Sequence, residues 1–183
     1  MPTRAIWVSV FTALLLAGCE TAPSFRAASD LTRDLRENQV SFVLHEDVTI
    51  PSGRSRLFLQ GGGVVGGRSL YQPHCIFEID SVDHEGFPVS AGTFDVLRIQ
   101  RSTVQIAAQR GVKLASTVTE FGAFPNSSDR FHDGYHFWLQ SATQPSVMRL
   151  TCYGVYERPG RLRPPTLEEI GVALGEVGSL KVQ

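Results

Sequence analysis

Residues 40–60, VSFVLHEDVTIPSGRSRLFLQ, decide the fold of this chain. Val40–Leu44 and Arg54–Gln60 approach a period of two, which is the spacing that places alternate side chains on one side of a β-strand. Val48–Ile50 is a third strand-like run, and Pro51-Ser52-Gly53 is a turn signal between two of them. This stretch therefore predicts short strands joined by tight turns.

The same pattern continues along the chain. Further strand candidates are Cys75–Asp80, Phe94–Gln100 with a continuation to Ala107, Gly134–Gln140 and Val147–Tyr156. Strands do not alternate with helices, so we expect six to eight strands in an antiparallel sandwich or a partly open barrel. Residues 121–133, FGAFPNSSDRFHD, read as the most loop-like interior stretch.

One short helix is expected near the C-terminus. Thr166 and Glu169 have the spacing of a capping box, and Leu167, Ile170 and Leu174 share one helical face. Gly171 weakens this helix, because glycine has a low helix propensity. The predicted fold class is mainly β with one short C-terminal helix.

Charge and motifs exclude several function classes. The chain has 183 residues with 17 Lys+Arg against 18 Asp+Glu, so no general attraction to nucleic acid is expected. Gly61–Gly66 matches a dinucleotide-binding pattern, but Pro73 and a predicted strand follow it where that motif needs a helix. We therefore expect a hairpin or loop at these glycines, and no nucleotide or other cofactor.

The N-terminus is typical of an exported protein. Ala5–Leu16 is an apolar run of signal-peptide length after Arg4, and it is too short to span a bilayer. It ends in Leu16-Ala17-Gly18-Cys19, and in this motif the chain resembles a bacterial lipoprotein. The resemblance implies that residues 1–18 are a cleaved signal peptide and that acylated Cys19 anchors the chain in a lipid bilayer.

The same resemblance implies a location in the cell envelope. Glu20 follows the acylated cysteine, which favours the outer membrane, and we expect the domain on its periplasmic side. Residues 19–38 are then a lipidated tether, with a short helix over Asp30–Asn38, and residues 39–183 a β-rich globular domain. In this domain Gln60-Gly61-Gly62, Tyr71–Cys75 and Leu150–Cys152 resemble segments of small β-rich proteobacterial envelope lipoproteins, which implies no particular activity.

Two cysteines remain in the domain. Cys75 and Cys152 lie in predicted strands, and alternation places both on apolar faces. An even pair in an oxidising compartment predicts a buried disulfide, with two separate buried thiols as the alternative.

His132 and His136 suggest a metal site, because two histidines four residues apart on a helix can bind one zinc ion. Their neighbours favour a strand, where four residues span about 13 Å and the two rings cannot bind one ion together. They are therefore only secondary metal candidates, which would need His74 or His84 brought close by the fold.

Aromatic and arginine side chains suggest a recognition surface. Tyr71, Trp138, Arg54 and Arg56 are the residue types that dominate binding interfaces, with core packing as the alternative explanation for most residues of this kind. The same set includes Phe137, Tyr153, Tyr156, Arg98 and Arg101. We therefore expect a non-enzymatic binding or structural module, with an envelope protein as its partner. The alternative is an envelope hydrolase or a metal-binding protein that uses His132 and His136.

Overall fold

A computed structural model describes residues 38–107, 130–157 and 161–183. Ten strands and one helix lie within these ranges. They are β1 (Val40–Leu44), β2 (Val48–Ile50), β3 (Arg54–Gln60), β4 (Gly63–Val65), β5 (His74–Asp83), β6 (Phe87–Val89), β7 (Gly92–Ala107), β8 (Arg130–Gln140), β9 (Val147–Tyr153), α1 (Leu167–Leu174) and β10 (Gly178–Val182). No described helix is both long and apolar enough to cross a membrane.

Eight strands form one antiparallel sheet in the order β10-β1-β7-β8-β9-β5-β3-β4. This sheet curls into an open half-barrel with an inner and an outer face. β2 and β6 pair separately, with Val48 opposite Val89. The expected partly open barrel is confirmed. The chain is not a sandwich of two large sheets, because the β7–β8 hairpin keeps both halves in one hydrogen-bonded sheet.

The hydrophobic core lies against the inner face. Phe42, Phe77 and Phe94 pack together there, with ring centroids 5.7 to 6.1 Å apart. Cys75 and Cys152 are directly opposed on β5 and β9, are buried, and form a disulfide. The predicted disulfide and its buried position are both confirmed.

Helix α1 packs across the open side of the half-barrel. Thr166 and Glu169 form the predicted capping box, in which each side chain accepts the backbone N–H of the other. Ile170 and Leu174 are buried, whereas Leu167 is exposed. Since α1 contacts β3, β5 and β10, it links the two ends of the curled sheet.

The glycine run forms a tight turn between β3 and β4. Gly61 and Gly62 both have positive φ, at 61° and 88°, a conformation that glycine adopts without a steric penalty. A Cβ on Gly175, after α1, would lie 2.2 Å from the Cα of Gly62. These glycines therefore allow the β3–β4 hairpin to approach the end of α1 closely. As expected, Gly61 and Gly62 form a hairpin turn, and strand β4 follows them rather than a helix.

The sequence prediction fails in several segments. Residues 130–133 were expected in a loop but belong to β8, where they pair with the C-terminal part of β7. β4, β6 and β10 were not predicted, since each is short; β6 and β10 are also defined by partners distant in sequence, whereas β4 pairs with the adjacent β3. The predicted signal peptide, Cys19 and all of the tether except Asn38 fall in residues 1–37, and most of the expected loop falls in 108–129. Both ranges lie outside the described residues.

Candidate functional site on the outer face

Strand register arranges polar side chains in rows across the outer face. In the first row, five residues from five adjacent strands are directly opposed, and we call this set the cationic row. Its members, from β3 to β7, are Arg56, Glu78, Arg149, Trp138 and Arg98. With strands about 4.8 Å apart, the row spans about 19 Å.

Glu78 and Arg149 form the centre of the cationic row. Arg149 donates from Nε to Glu78 Oε2 at 2.5 Å and from Nη2 to Oε1 at 3.3 Å. Thr151 Oγ1 also donates to Glu78 Oε2, at 3.1 Å. Glu78 is only 6% exposed, so these three hydrogen bonds compensate a carboxylate that has lost most of its water.

Trp138 lies between two guanidinium groups. Arg98 is 4.8 Å and Arg149 is 5.3 Å from its ring centroid, which is the geometry of cation–π contacts. The indole Nε1 is buried and has no hydrogen-bond partner among the described residues. A buried, unpaired donor is uncommon in a folded protein, and this makes Trp138 a candidate functional residue.

The outer face carries cations without carboxylate partners. Arg56 and Arg98 are exposed, and no ion pair joins either of them to a described residue. Arg68, from the segment after β4, stacks on Phe58 at 4.8 Å in the neighbouring row. With Glu78 already bound to Arg149, the cationic row presents two uncompensated positive charges although the whole chain has a net charge of -1.

A shallow cavity flanks the Arg56 end of the cationic row. Its volume is about 330 Å³, and Arg54, Arg56 and the ring of Phe58 lie in its wall. The lining residues are Gly53, Arg54, Ser55, Arg56, Phe58 and Val82.

The second row contains His136. Its Nδ1 is 2.8 Å from Thr151 Oγ1. Because the Thr151 hydroxyl donates its proton to Glu78, His136 must donate to Thr151. Burial, followed by the nearby Arg149, lowers the pKa of His136. This order differs from a nucleophile–histidine–carboxylate relay, since the carboxylate binds the hydroxyl and not the imidazole.

A cluster of aromatic rings occupies the end of the outer face beyond the second row. We call it the ring cluster; its members are Tyr71, His74, His132, Tyr153 and Tyr156. The His74 and His132 centroids are 5.3 Å apart, and the Tyr153 centroid is 5.7 Å from the first and 5.6 Å from the second.

Gly134 makes room for the Tyr153 ring. The two residues are opposed on β8 and β9, and a Cβ at Gly134 would lie 2.6 Å from Tyr153 Cδ1 and 2.2 Å from the Cys152 carbonyl oxygen. The ring therefore covers the glycine, and the Tyr153 hydroxyl comes within 3.4 Å of Ser102 Oγ on β7.

Backbone carbonyls from one segment hold both histidines of the ring cluster. His74 Nδ1 lies 3.2 Å from the Gln72 carbonyl oxygen, and His132 Nε2 lies 3.1 Å from that of Leu70. Burial lowers the pKa of His74 from 6.5 to about 4 and also lowers the pKa of His132. Both imidazoles are therefore neutral near pH 7, and each donates to its carbonyl.

The structure divides the predicted binding face in two. Trp138 and Arg56 share the cationic row, and Arg54 lies beside it opposite Asp83. Tyr71 is 72% exposed and belongs to the ring cluster, where it contacts Tyr156.

The two candidate metal ligands lie apart. His132 and His136 are on one face of β8 but enter different contacts, and Gly134 with its covering Tyr153 ring lies between them. His74 is the histidine that meets His132. In the described part of the chain, no group of three or more His, Cys, Asp or Glu side chains could hold a metal ion.

Sequence reasoning missed Glu78 and Arg149; of the two histidines that it considered as neighbours of His132 and His136, the fold brings His74 beside His132. A usable indication was present in His74–Asp80, because His74 and Glu78 alternate with Cys75, Phe77 and Ile79. This alternation predicts polar side chains on the face of β5 opposite the core. Their partners depend on register between strands that are far apart in sequence.

A further ion pair lies on the inner face, beyond the core, between the half-exposed Arg101 and a buried carboxylate. Arg101 binds Asp133, which is fully buried and also accepts from Thr103 Oγ1 at 3.0 Å. The hydrogen bond to Asp133 raises the pKa of Arg101. This pair stabilises the junction of β7 and β8 where the hairpin extends past the phenylalanines.

We compared the chain with protein-family models, curated proteins and solved structures, and none of the three comparisons found a match.

Proposed function

We propose that this chain is a lipid-anchored lipoprotein of the cell envelope whose half-barrel is a non-enzymatic recognition module. The observation that carries the proposal is the cationic row, in which Trp138 lies between Arg98 and Arg149 and further cations are exposed. Tryptophan and arginine are the residues most enriched among those that dominate binding energy. A partner docks across the outer face at this row.

Charge defines the chemistry of that partner. Arg56 and Arg98 lie near the two ends of the row and lack carboxylate partners, while Glu78 is occupied by Arg149. A surface with this pattern attracts a protein that presents carboxylates at a similar spacing, and guanidinium groups bind carboxylates through paired hydrogen bonds. We therefore propose an envelope protein with an acidic surface as the partner.

The lipobox at Leu16–Cys19 supports a lipid anchor, and Glu20 after the acylated cysteine supports a location at the outer membrane, on its periplasmic side. The first described strand lies near the cationic row: Ser41 on β1 pairs with Asp95 on β7, three residues before Arg98. Tethering raises the local concentration of a membrane partner, so a weak contact at this row becomes effective.

The alternative is an envelope enzyme or metal protein that uses both His132 and His136. It receives less support, because the two histidines have separate partners and Thr151 directs its proton to Glu78. The recognition module accounts for more of the outer-face geometry.

The test is in-cell crosslinking of the full-length acylated chain, followed by mass spectrometry of the recovered complexes. We expect one discrete partner that is lost in Cys19→Ala and in the charge reversal Arg56→Glu/Arg98→Glu. Arg161→Glu, an exposed arginine on the segment before α1, is the matched control and keeps the partner. Recovery of the same partner by the charge-reversed chain would refute the role of the row.

A further inference from the structure

The cavity at the Arg56 end of the cationic row combines positive charge with an apolar wall. Arg54 and Arg56 supply the charge, while the ring of Phe58 and the exposed side chain of Val82 supply the apolar part. None of the six lining residues is acidic. The lining is therefore suited to an anion that carries an apolar group.

Strand alternation places both arginines on the same side of β3. Arg54 and Arg56 are exposed and two residues apart, which is about 7 Å along a strand. Phe58 is the next residue in this alternation, and it lines the same cavity. Two guanidinium groups and one aromatic ring thus follow one another along one wall.

The carboxylates opposite these two arginines are bound elsewhere. Glu78, opposite Arg56, accepts hydrogen bonds from Arg149. Asp83, opposite Arg54, accepts through Oδ1 the backbone N–H two residues later, at 2.7 Å. No ion pair joins Arg54 or Arg56 to a described residue. Both guanidinium groups are therefore available to an external anion.

Arg68 adds a third positive charge at the Phe58 side of the cavity. Its guanidinium carbon is 4.8 Å from the Phe58 ring centroid, and no ion pair joins it to a described residue. Burial lowers the pKa of His74 and His132, and the charge of Arg68 lowers both further. This effect is consistent with an arginine that has no carboxylate partner.

We propose that this cavity binds a phosphate monoester that carries an apolar group. The phosphate lies between Arg54 and Arg56, and the apolar group lies against Phe58 and Val82. Guanidinium groups bind phosphate oxygens through paired N–H donors. Three such groups in or beside one cavity favour a phosphate monoester, with about two negative charges at neutral pH, over a singly charged carboxylate. This ligand is additional to the proposed protein partner, and its binding needs no partner protein.

The probe is phenyl phosphate, titrated into the full-length Cys19→Ala chain at pH 8 by isothermal titration calorimetry. We expect one phenyl phosphate per chain. Arg54→Gln and Arg56→Gln should each weaken binding about 10-fold, because each removes hydrogen bonds to a charged group. Arg161→Gln, at an exposed arginine before α1, is the matched control and should bind as the parent does. Benzenesulfonate, which has the same ring and a single charge, should bind more weakly than phenyl phosphate.

A phosphate monoester can be a soluble compound or the headgroup of a lipid. Phosphatidylcholine nanodiscs with and without phosphatidic acid distinguish these sources. Binding that requires phosphatidic acid and is weakened by Arg54→Gln would identify a lipid headgroup. Binding of phenyl phosphate without this preference among nanodiscs would identify a soluble ester.

Nitrogen-15 NMR of the Cys19→Ala chain keeps the test independent of how the arginine variants fold. Phenyl phosphate should shift the side-chain Nε resonances of Arg54 and Arg56 and leave that of Arg161 unchanged. Shifts confined to other arginines, unaltered binding in Arg54→Gln, or benzenesulfonate binding as tight as that of phenyl phosphate would each overturn the assignment. Failure to bind both phenyl phosphate and phosphatidic acid would also overturn it.

Discussion

Acidification should destabilise the domain through His74. Its pKa is lowered from 6.5 to about 4, chiefly because burial disfavours the charged imidazole. Above pH 6.5 the ring is neutral in both the folded and the unfolded chain, so its protonation has no effect on stability. As the pH falls from 6.5 toward 4, the unfolded chain binds a proton that the folded chain does not, and the free energy of unfolding decreases.

The size of the effect follows from the two pKa values. Between pH 7.5 and pH 4.5, proton linkage at His74 lowers the free energy of unfolding by about 2.5 kcal/mol. His132 and His136 also have lowered pKa values and act in the same direction. The Phe substitution at position 74 isolates one contribution, because the other titrating groups are shared with the parent.

The assay is urea unfolding at pH 7.5 and 4.5 in buffer with a metal chelator, for the parent, His74→Phe and His84→Ala chains. His74→Phe should lose about 2.5 kcal/mol less than the parent on acidification, whatever its stability at pH 7.5. His84→Ala should follow the parent. An equal loss in parent and His74→Phe would refute the argument that buried, neutral His74 controls this pH dependence.

Three further changes test the fold. Gly134→Ala should lower the free energy of unfolding by about 3 kcal/mol or more, since its Cβ would meet the Cys152 carbonyl and the Tyr153 ring; urea unfolding without such a loss would contradict that packing. Replacing Cys75 and Cys152 together by Ala should lower the free energy of unfolding by about 2 to 4 kcal/mol at neutral pH. A urea midpoint equal to that of the oxidised parent would show that the disulfide does not stabilise the domain. Thr166→Ala should lose about 1 kcal/mol with its cap, whereas Thr166→Ser should retain most of it in the same thermal or urea assay.

The sequence predicted those parts of the fold that depend on local pattern. Alternation located most strands, the apolar faces of Cys75 and Cys152 indicated the disulfide, and Thr166 with Glu169 predicted the start of α1. Residues 130–133 were missed, because their polar sequence resembles a loop and only pairing with β7 makes them a strand.

Prediction of the candidate site was less complete for the same reason. Trp138 and Arg56 were singled out by residue type, but their common row depends on the register of five strands. Glu78 attracted no attention as a single acidic residue, although its buried contact with Arg149 organises the centre of the row. Side-chain partners across distant strands become visible only when the register is known.

Site-specific photocrosslinking in cells tests the cationic row most directly. A photoreactive amino acid at Gln100, an exposed position opposite His136 in the second row, leaves the row itself intact; the same probe at exposed Glu168 on α1 is the control. The account predicts one discrete adduct from Gln100, none from Glu168, and loss of the adduct with Arg56→Glu/Arg98→Glu. An adduct that survives this charge reversal, or one that forms only from Glu168, would contradict the claim that the outer face is the recognition surface.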